Sequence, residues 1–246
     1  IPLRLVGSEM CIRDSFNKIC ILASVFFFYI AYNALVSNFT VYSDVMLGFK
    51  MPQLPLVFVI VGALPGFLLA TPLSKKIGRK YTVAIGLASM LVFLLASMPF
   101  SRKDSTIAMK IPLIICFFGA GVGYGFAMAH MYPLYLELSK TKNIGQNTGI
   151  FAGTTTAAMV VTPILAGYII KKIGEVNGKT YVIEQVVEGV STEVVKTGDY
   201  SVLFPYCAVA VMLAFVAVML VKSDYYKDGS KQEKKRCKNK KEAGRD

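Results

Sequence analysis

Residues 208–221 read AVAVMLAFVAVMLV and residues 57–70 read VFVIVGALPGFLLA, and neither stretch contains a charged side chain. Each belongs to a longer charge-free window, and six such windows, 21 to 28 residues long, occur along the 246-residue chain. A helix that rises about 1.5 Å per residue needs about 20 apolar residues to cross a hydrocarbon core about 30 Å thick. All six windows are therefore long enough to span a membrane.

The windows favour helices over barrel strands. Backbone amides in lipid must be paired within the spanning structure, so a segment is either a helix or a strand of a closed barrel. Barrel strands alternate polar and apolar residues over about 10 positions, and these windows do not. The sequence predicts an all-α membrane protein, a bundle of six transmembrane helices, with spans at about 19–43, 53–73, 81–100, 111–136, 147–170 and 202–221.

The composition agrees with this fold class. Hydrophobic residues make up 54% of the chain and charged residues 17%, and the mean hydropathy is +0.54. All the charged residues fall between the windows, whereas a soluble helical protein would carry charges on every surface helix. The composition therefore excludes an ordinary soluble domain and a disordered chain.

The positive charges indicate the orientation. Six crossings put both ends on one side, and that side carries 17 Lys and Arg residues outside the first 15 positions, against 8 on the other. The positive-inside rule then predicts that both ends lie in the cytoplasm. We expect an integral protein of a prokaryotic plasma membrane. Ten of the 17 cations belong to the tail that starts at Lys222. We expect residues 223–246 to be a basic cytoplasmic tail that contacts membrane lipid, and we expect no nucleic acid as a partner.

The first 15 residues differ in character from the rest. Residues 6–15, VGSEMCIRDS, look like the translation of an adapter used to prepare sequencing libraries. We treat residues 1–15 as an artefact of that kind, and 16–222 as the six-helix domain. On this interpretation the native protein is longer and this chain is its C-terminal part.

One extramembrane segment is large enough to have its own structure. Residues 174–200 form the predicted outer loop, with the β-branched runs YVIEQVV and TEVVK. An Asn177-Gly178 turn beside such runs is typical of a small hairpin.

Several polar side chains interrupt the predicted spans. On the first helix, Tyr29, Asn33 and Ser37 are four residues apart and share a face. On the fourth helix, His130 and Glu137 are seven residues apart and also share a face. On the fifth helix, Thr155 belongs to a cluster of threonines. One interpretation is that they line a polar pathway for a solute, since polar groups in lipid are costly without a partner. The other is hydrogen bonding between helices, with Glu137 at the membrane interface.

The glycines of the spans favour close helix packing. Gly119, Gly121, Gly123 and Gly125 form two overlapping GxxxG steps, and Gly149 with Gly153 adds a third on the next helix. A nucleotide-binding loop would follow a strand, and no strand precedes them.

The sequence does not favour an enzyme. His130 is the only histidine, and the five cysteines show no metal or redox spacing. A zinc site or a Ser-His-Asp set lacks its parts, so we expect no catalytic residues, no metal and no cofactor.

The residues LSKKIGRK at 73–80 resemble the basic loop between helices 8 and 9 of major facilitator superfamily transporters. Lys76, Gly78 and Lys80 fit that pattern, whereas Lys75 stands where the family has an acid and Thr71 where it has the first glycine. With Arg79, these three residues form the predicted cytoplasmic basic loop. Residues 26–48, 131–170 and 198–206 are similar to parts of the glycoside-pentoside-hexuronide cation symporters and of sucrose-transporter-like members.

This resemblance implies helices 7 to 12 of a twelve-helix major facilitator fold. It also implies a secondary transporter that moves a small polar solute, a sugar or glycoside, by alternating access coupled to H⁺ or Na⁺. Its partners would be the solute, the coupling cation and the missing N-terminal half. The alternative is a complete six-helix protein of another class, such as a membrane enzyme or a receptor-like scaffold.

Overall fold

A computed structural model describes residues 2–47, 52–100, 107–139, 144–187 and 190–221 of the chain. Side chains are described from residue 15 onward, except for 107–109 and 183–194. The predicted basic tail, 223–246, lies outside the described residues.

Six long helices and one hairpin make up the described chain. In order they are α1 (Pro2–Tyr42), α2 (Leu54–Ile77), α3 (Arg79–Ser97), α4 (Ile107–Leu138), α5 (Ile144–Asn177), β1 (Thr180–Val187), β2 (Val190–Thr197) and α6 (Leu203–Leu220). A short π-helical turn, Ser43–Leu47, continues α1, and 3₁₀ turns follow α3 and precede α6. All six helices have the length and apolarity of membrane spans, which confirms the predicted fold class.

The helices extend beyond the predicted spans at several ends. The largest differences are at α1, which begins at Pro2 within the segment set aside as an artefact, and at α5, which runs on to Asn177. The charge-free windows mark only the part of each helix that is apolar. A helix continues into the polar interface for as long as its backbone remains paired.

The glycines of α4 allow two helices to approach it closely. A Cβ atom placed on Gly125 would lie 2.6 Å from the carbonyl oxygen of Ala63 on α2. A Cβ on Gly123 would lie 2.6 Å from the carbonyl oxygen of Gly86 on α3. The prediction of close packing is confirmed for α4, because only a residue without a Cβ fits at these positions.

The core of the bundle is built around α1. Its side chains Val25, Phe28 and Ala31 are fully buried, and it packs along both α5 and α6. The Cys207 thiol of α6 lies 3.6 Å from the carbonyl oxygen of Ala31. The helix α1 therefore joins the α5–α6 side of the bundle to α4.

The segment after α5 contains the predicted hairpin, but its turn is elsewhere. Strands β1 and β2 pair antiparallel from Thr180 opposite Thr197 to Val187 opposite Val190. Asn177 is the last residue of α5, and Gly178, with φ +61°, follows it. The Asn-Gly pair therefore ends a helix and does not turn the hairpin, because a left-handed residue after a helix is a common stop signal.

One carboxylate anchors the hairpin to the helices on either side of it. Asp199 is buried, and its oxygens accept hydrogen bonds from Lys179 at 3.0 Å, Asn177 at 3.0 Å and Ser201 at 2.6 Å. Burial alone would raise the pKa of Asp199, but the hydrogen bonds from Ser201, Lys179 and Asn177 lower it to about 2. Its backbone N–H also donates to the carbonyl of Ile170 on α5, at 3.0 Å. The end of α5 and the start of α6 are thus joined through Asp199.

Candidate functional site

The contact between α1 and α4 brings tyrosines together in the middle of the bundle. The Tyr29 hydroxyl lies 3.5 Å from the sulfur of Met128. The ring of Tyr124 stacks on Tyr32 with centroids 5.2 Å apart, and on Phe28 at 5.7 Å. Of these residues, only Tyr29 was among the predicted pathway residues.

Two predicted residues keep unpaired polar atoms inside the bundle. The side chain of His130 is only 8% exposed, and neither ring nitrogen has a hydrogen-bond partner. The side-chain nitrogen of Asn33 is likewise buried and unpaired. A buried polar atom without a partner costs free energy, and such atoms are rare in native proteins. Among the predicted pathway residues, Asn33 and His130 are therefore the strongest candidates for contact with a solute.

These two side chains lie at different depths. The helices α1 and α4 are antiparallel, and Tyr29 lies beside Met128 while Tyr32 lies beside Tyr124. His130 is then on one side of the Tyr29–Met128 contact and Asn33 on the other, about 10 Å apart along the helix axes. One elongated solute, or two successive positions of a small one, would be needed to meet both.

The hydroxyl of Thr155 is already used within its own helix. It donates to the carbonyl of Ala152 at 2.9 Å, and Thr154 donates in the same way to Ile150. Threonines in helices commonly satisfy their hydroxyls in this manner. Ser37 lies on the exposed side of α1. Neither residue is brought next to His130 or Asn33 by the contacts that join α1 and α4.

Glu137 lies at the end of the bundle, where it forms an ion pair with Arg79. Both side chains are partly exposed. The structure favours the interfacial interpretation for Glu137, because its carboxylate already has a cationic partner. Although His130 and Glu137 lie on one helix seven residues apart, only His130 is buried.

The predicted basic loop is almost entirely helical. Gly78, with φ 95°, is the one residue between α2 and α3. Lys75 and Lys76 belong to the last turn of α2, where cations favour the helix dipole. Arg79 and Lys80 begin α3, where that dipole disfavours them.

Each of these two unfavourable cations has a negative partner on another helix. Arg79 pairs with Glu137 on α4. The Lys80 amine donates to the carbonyls of Met219 at 3.2 Å and Val221 at 2.5 Å, at the end of α6. Since the end of a helix carries a partial negative charge, α6 compensates the charge of Lys80. Gly78, Arg79 and Lys80 therefore form a structural junction, and Lys76 lies beside it in the last turn of α2.

Sequence reasoning missed the aromatic residues Tyr32 and Tyr124. A signal was present, because Tyr124 stands between Gly123 and Gly125 and is the one bulky residue of that short run. Tyr32 follows Tyr29 by three residues and shares its side of the helix. Among the described residues, no group of three metal-ligating side chains lies close together.

The helices, their apolar faces and the glycine contacts define an integral membrane protein with a helical bundle. Residues 10–243 match the family described as Major Facilitator Superfamily, and the chain belongs to that family. Its members are transporters.

One relative of this chain is described as an uncharacterized protein in the sodM 3′ region of Geobacillus stearothermophilus. The two sequences are 26% identical over 137 residues, which is 56% of this chain and 58% of the relative. The chain thus matches little more than half the length of that relative.

Proposed function

We propose that this chain is the C-terminal half, helices 7 to 12, of a solute transporter of the major facilitator superfamily. Its solute is small and polar, a sugar or glycoside, and transport proceeds by alternating access coupled to H⁺ or Na⁺. Membership of the family supports the transport function. The N-terminal half of the same protein would supply the other wall of the pathway.

One observation carries the proposal at the level of residues. The ring nitrogens of His130 and the amide nitrogen of Asn33 are buried within membrane spans and unpaired. A solute hydroxyl can donate to a histidine nitrogen or accept from an amide. Binding a hydroxyl-rich solute would thus supply the hydrogen-bond partners that these side chains lack. The free energy of these hydrogen bonds would be gained only in the solute-bound state.

The neighbouring aromatic rings suit the same solute. Tyr29 and Tyr32 lie on the same side of α1 as Asn33, with their rings 6.2 Å apart. A sugar offers apolar C–H faces to such rings and hydroxyls to the polar groups. The charged residues Glu137 and Lys80 lie at the end of the bundle, where Glu137 pairs with Arg79 and Lys80 with the end of α6, so neither offers a charge to the solute. A neutral solute therefore fits better than an ion.

The test is a chimera in which residues 16–221 replace helices 7 to 12 of an intact sugar symporter of the superfamily. Uptake of radiolabelled sugar is measured in cells at matched amounts of protein in the membrane. We expect His130→Ala and Asn33→Ala each to lower uptake about tenfold, since losing one hydrogen bond to the solute costs about 1.4 kcal/mol.

Ser139→Ala is the matched control. Ser139 also has a buried, unpaired hydroxyl, but it follows the end of α4 near the Arg79–Glu137 ion pair. Uptake by the control should equal that of the unmodified chimera. Unchanged uptake in both His130→Ala and Asn33→Ala would contradict the proposed pathway.

A further inference from the structure

The Asn177-Gly178 pair is the one place in the chain where an asparagine precedes a glycine. An asparagine in this position is the kind most prone to deamidation, because glycine has no Cβ to keep its backbone nitrogen away from the asparagine side chain. The pair does not turn the hairpin, and the proposed solute pathway makes no use of it. Its surroundings decide how readily it reacts and what the reaction does.

The regular hydrogen bonding of α5 stops at this pair. Asn177 is the last residue of the helix, and Gly178 follows it in the left-handed region, with φ +61°. The carbonyl of Gly174 accepts a hydrogen bond from the backbone N–H of Lys179 at 3.0 Å. In a continued α-helix this carbonyl would accept from Gly178, four residues on. Gly178 therefore lies beyond the regular helix, and helix ends open locally more readily than helix interiors.

The pair is also accessible to water. Asn177 and Gly178 are both exposed. A Cβ placed on Gly178 would meet nothing within 4 Å among the described residues, so no neighbouring atom hinders a movement of its backbone. The other asparagines that the structure describes all lie within helices, and each precedes a residue with a side chain. They are Asn17, Asn33, Asn38 and Asn147.

The side chain of Asn177 is bound to the carboxylate that anchors the hairpin. Its Nδ2 donates a hydrogen bond to Oδ2 of Asp199 at 3.0 Å. The Lys179 amine binds the same oxygen, also at 3.0 Å. Asp199 is buried, so water does not readily replace a partner that it loses. At this point one carboxylate is balanced by one ammonium group, and Asn177 adds a neutral donor.

Deamidation replaces that neutral donor by an anion. The backbone nitrogen of Gly178 attacks Cγ of Asn177, and the new C–N bond closes a succinimide ring. The side-chain nitrogen leaves as ammonia and takes with it the proton of the Gly178 nitrogen. Water then adds to one ring carbonyl, breaks its bond to the ring nitrogen and returns a proton to that nitrogen. The product is aspartate or isoaspartate, with one water consumed and one ammonia released.

We propose that Asn177 is a site of spontaneous deamidation, and that the carboxylate formed there weakens the Asp199 anchor of the hairpin. The new oxygen stands where the amide donated, beside Oδ2 of Asp199. Two negative charges then face the single ammonium group of Lys179, so an attraction becomes a repulsion. Because the ammonia is lost, the change is one-way. This modification does not depend on the proposed solute pathway.

The first measurement follows the reaction in the unmodified protein. The full chain is kept in mixed micelles at neutral pH and physiological temperature, and mass-spectrometric peptide mapping at intervals detects aspartate and isoaspartate at each asparagine. We expect conversion at Asn177 to be about tenfold faster than at Asn147, which lies on the same helix but precedes a threonine. Equal rates at the two positions would overturn the proposal.

The second measurement tests the effect on the anchor. Asn177→Ala removes the hydrogen bond to Asp199 without adding a charge, whereas Asn177→Asp removes it and adds the charge. The ratio of folded to unfolded protein is measured by titration with sodium dodecyl sulfate. We expect Asn177→Asp to lower this ratio about tenfold more than Asn177→Ala does. Equal ratios for the two variants would overturn the proposed weakening, because loss of the hydrogen bond alone would then explain the effect.

Aged wild-type protein provides a check without any substitution. Its deamidated fraction is separated from the intact fraction by ion exchange, and both are unfolded in the same way. The deamidated fraction should be at least as unstable as Asn177→Asp, since isoaspartate adds the same charge and also lengthens the backbone by a methylene group. A deamidated fraction as stable as the intact one would overturn the weakening of the anchor.

Discussion

The glycine series on α4 and on α5 have the same spacing and opposite surroundings. On α4, a Cβ at Gly123 or Gly125 would collide with the backbone of α3 or α2. On α5, a Cβ at Gly145, Gly149 or Gly153 would meet nothing within 4 Å among the described residues. Half of the α4 span is buried in the bundle, against 17% of the α5 span. The GxxxG spacing therefore shows only that another helix could pack closely against these glycines. Whether a helix does so depends on which residues of the fold lie next to them.

The sharpest test of this comparison is Gly125→Ala, for which we expect the largest decrease in the free energy of unfolding. The added Cβ would lie 2.6 Å from the Ala63 carbonyl oxygen and 2.9 Å from the backbone of Gly66, both on α2, and backbone atoms cannot move aside as a flexible side chain can. Overpacking of this kind costs about 1–3 kcal/mol. The free energy of unfolding, measured by titration with sodium dodecyl sulfate in mixed micelles, should fall by that amount.

The matched control is Gly149→Ala on α5, where the sign should reverse. Alanine is the better helix former by about 1 kcal/mol, and here it meets no neighbour. If Gly149→Ala destabilises the chain as much as Gly125→Ala does, α5 is as tightly packed as α4 and the comparison fails.

A second test concerns how α5 is held at the end next to the hairpin. Asp199→Asn removes a carboxylate that Ser201, Lys179 and Asn177 stabilise. Its folded pKa of about 2 is below the ordinary value of 3.8. The carboxylate therefore adds stability above about pH 4, worth about 2 kcal/mol, and this contribution is lost as the pH falls toward 2.

The measurement is the unfolding free energy of wild type and Asp199→Asn between pH 7 and pH 2. The variant should be less stable at pH 7, and the two should converge near pH 2. A constant difference across the whole range would mean that the charge of Asp199 is not what anchors the hairpin. Ser201→Ala, which removes one donor, should give a smaller loss of the same kind.

We expect the smallest change in the free energy of unfolding when the hydrogen bond that links α4 to α5 is removed. The hydroxyls of Tyr132 and Thr148 are 2.9 Å apart. Interhelical hydrogen bonds in membranes are worth about 0.6 kcal/mol on average. Tyr132→Phe keeps the ring contact with Phe151 and removes only this bond, so the loss should be of that size.

A double-mutant cycle with Thr148→Ala isolates the link from other effects of the two changes. A coupling energy near zero would show that α5 is held without this bond. A coupling of several kcal/mol would show that the two helices are joined far more firmly than their contacts indicate.

The sequence correctly predicted the features that depend on residues close to one another in the chain. Six charge-free windows became six helices, because lipid permits little else for such segments. The β-branched runs at 181–187 and 192–196 became the paired strands. The family was also correctly identified from residues 26–48, 73–80, 131–170 and 198–206. The proposals that the chain is a C-terminal half, that it is a sugar symporter and that both ends are cytoplasmic remain predictions.

What the sequence left open depends on contacts between distant residues. Glu137 was placed among pathway residues because it shares a helix face with His130, but the register of α3 against α4 gives it Arg79 as a partner. The expected close packing at Gly149 and Gly153 is absent from the described chain, because no helix is placed against them. A cavity of about 380 Å³ between α1 and α2 exists only where four helices meet, so no local pattern indicates it.

Arg79 and Lys80 are consecutive in the chain, yet they reach two different helices, α4 and α6. One peptide bond therefore sets how far apart the ends of those helices can move. A displacement of α6 at this end must be transmitted through Lys80 to the first turn of α3, and through Arg79 to α4. We therefore expect α3, α4 and α6 to tilt as a unit at this end of the bundle.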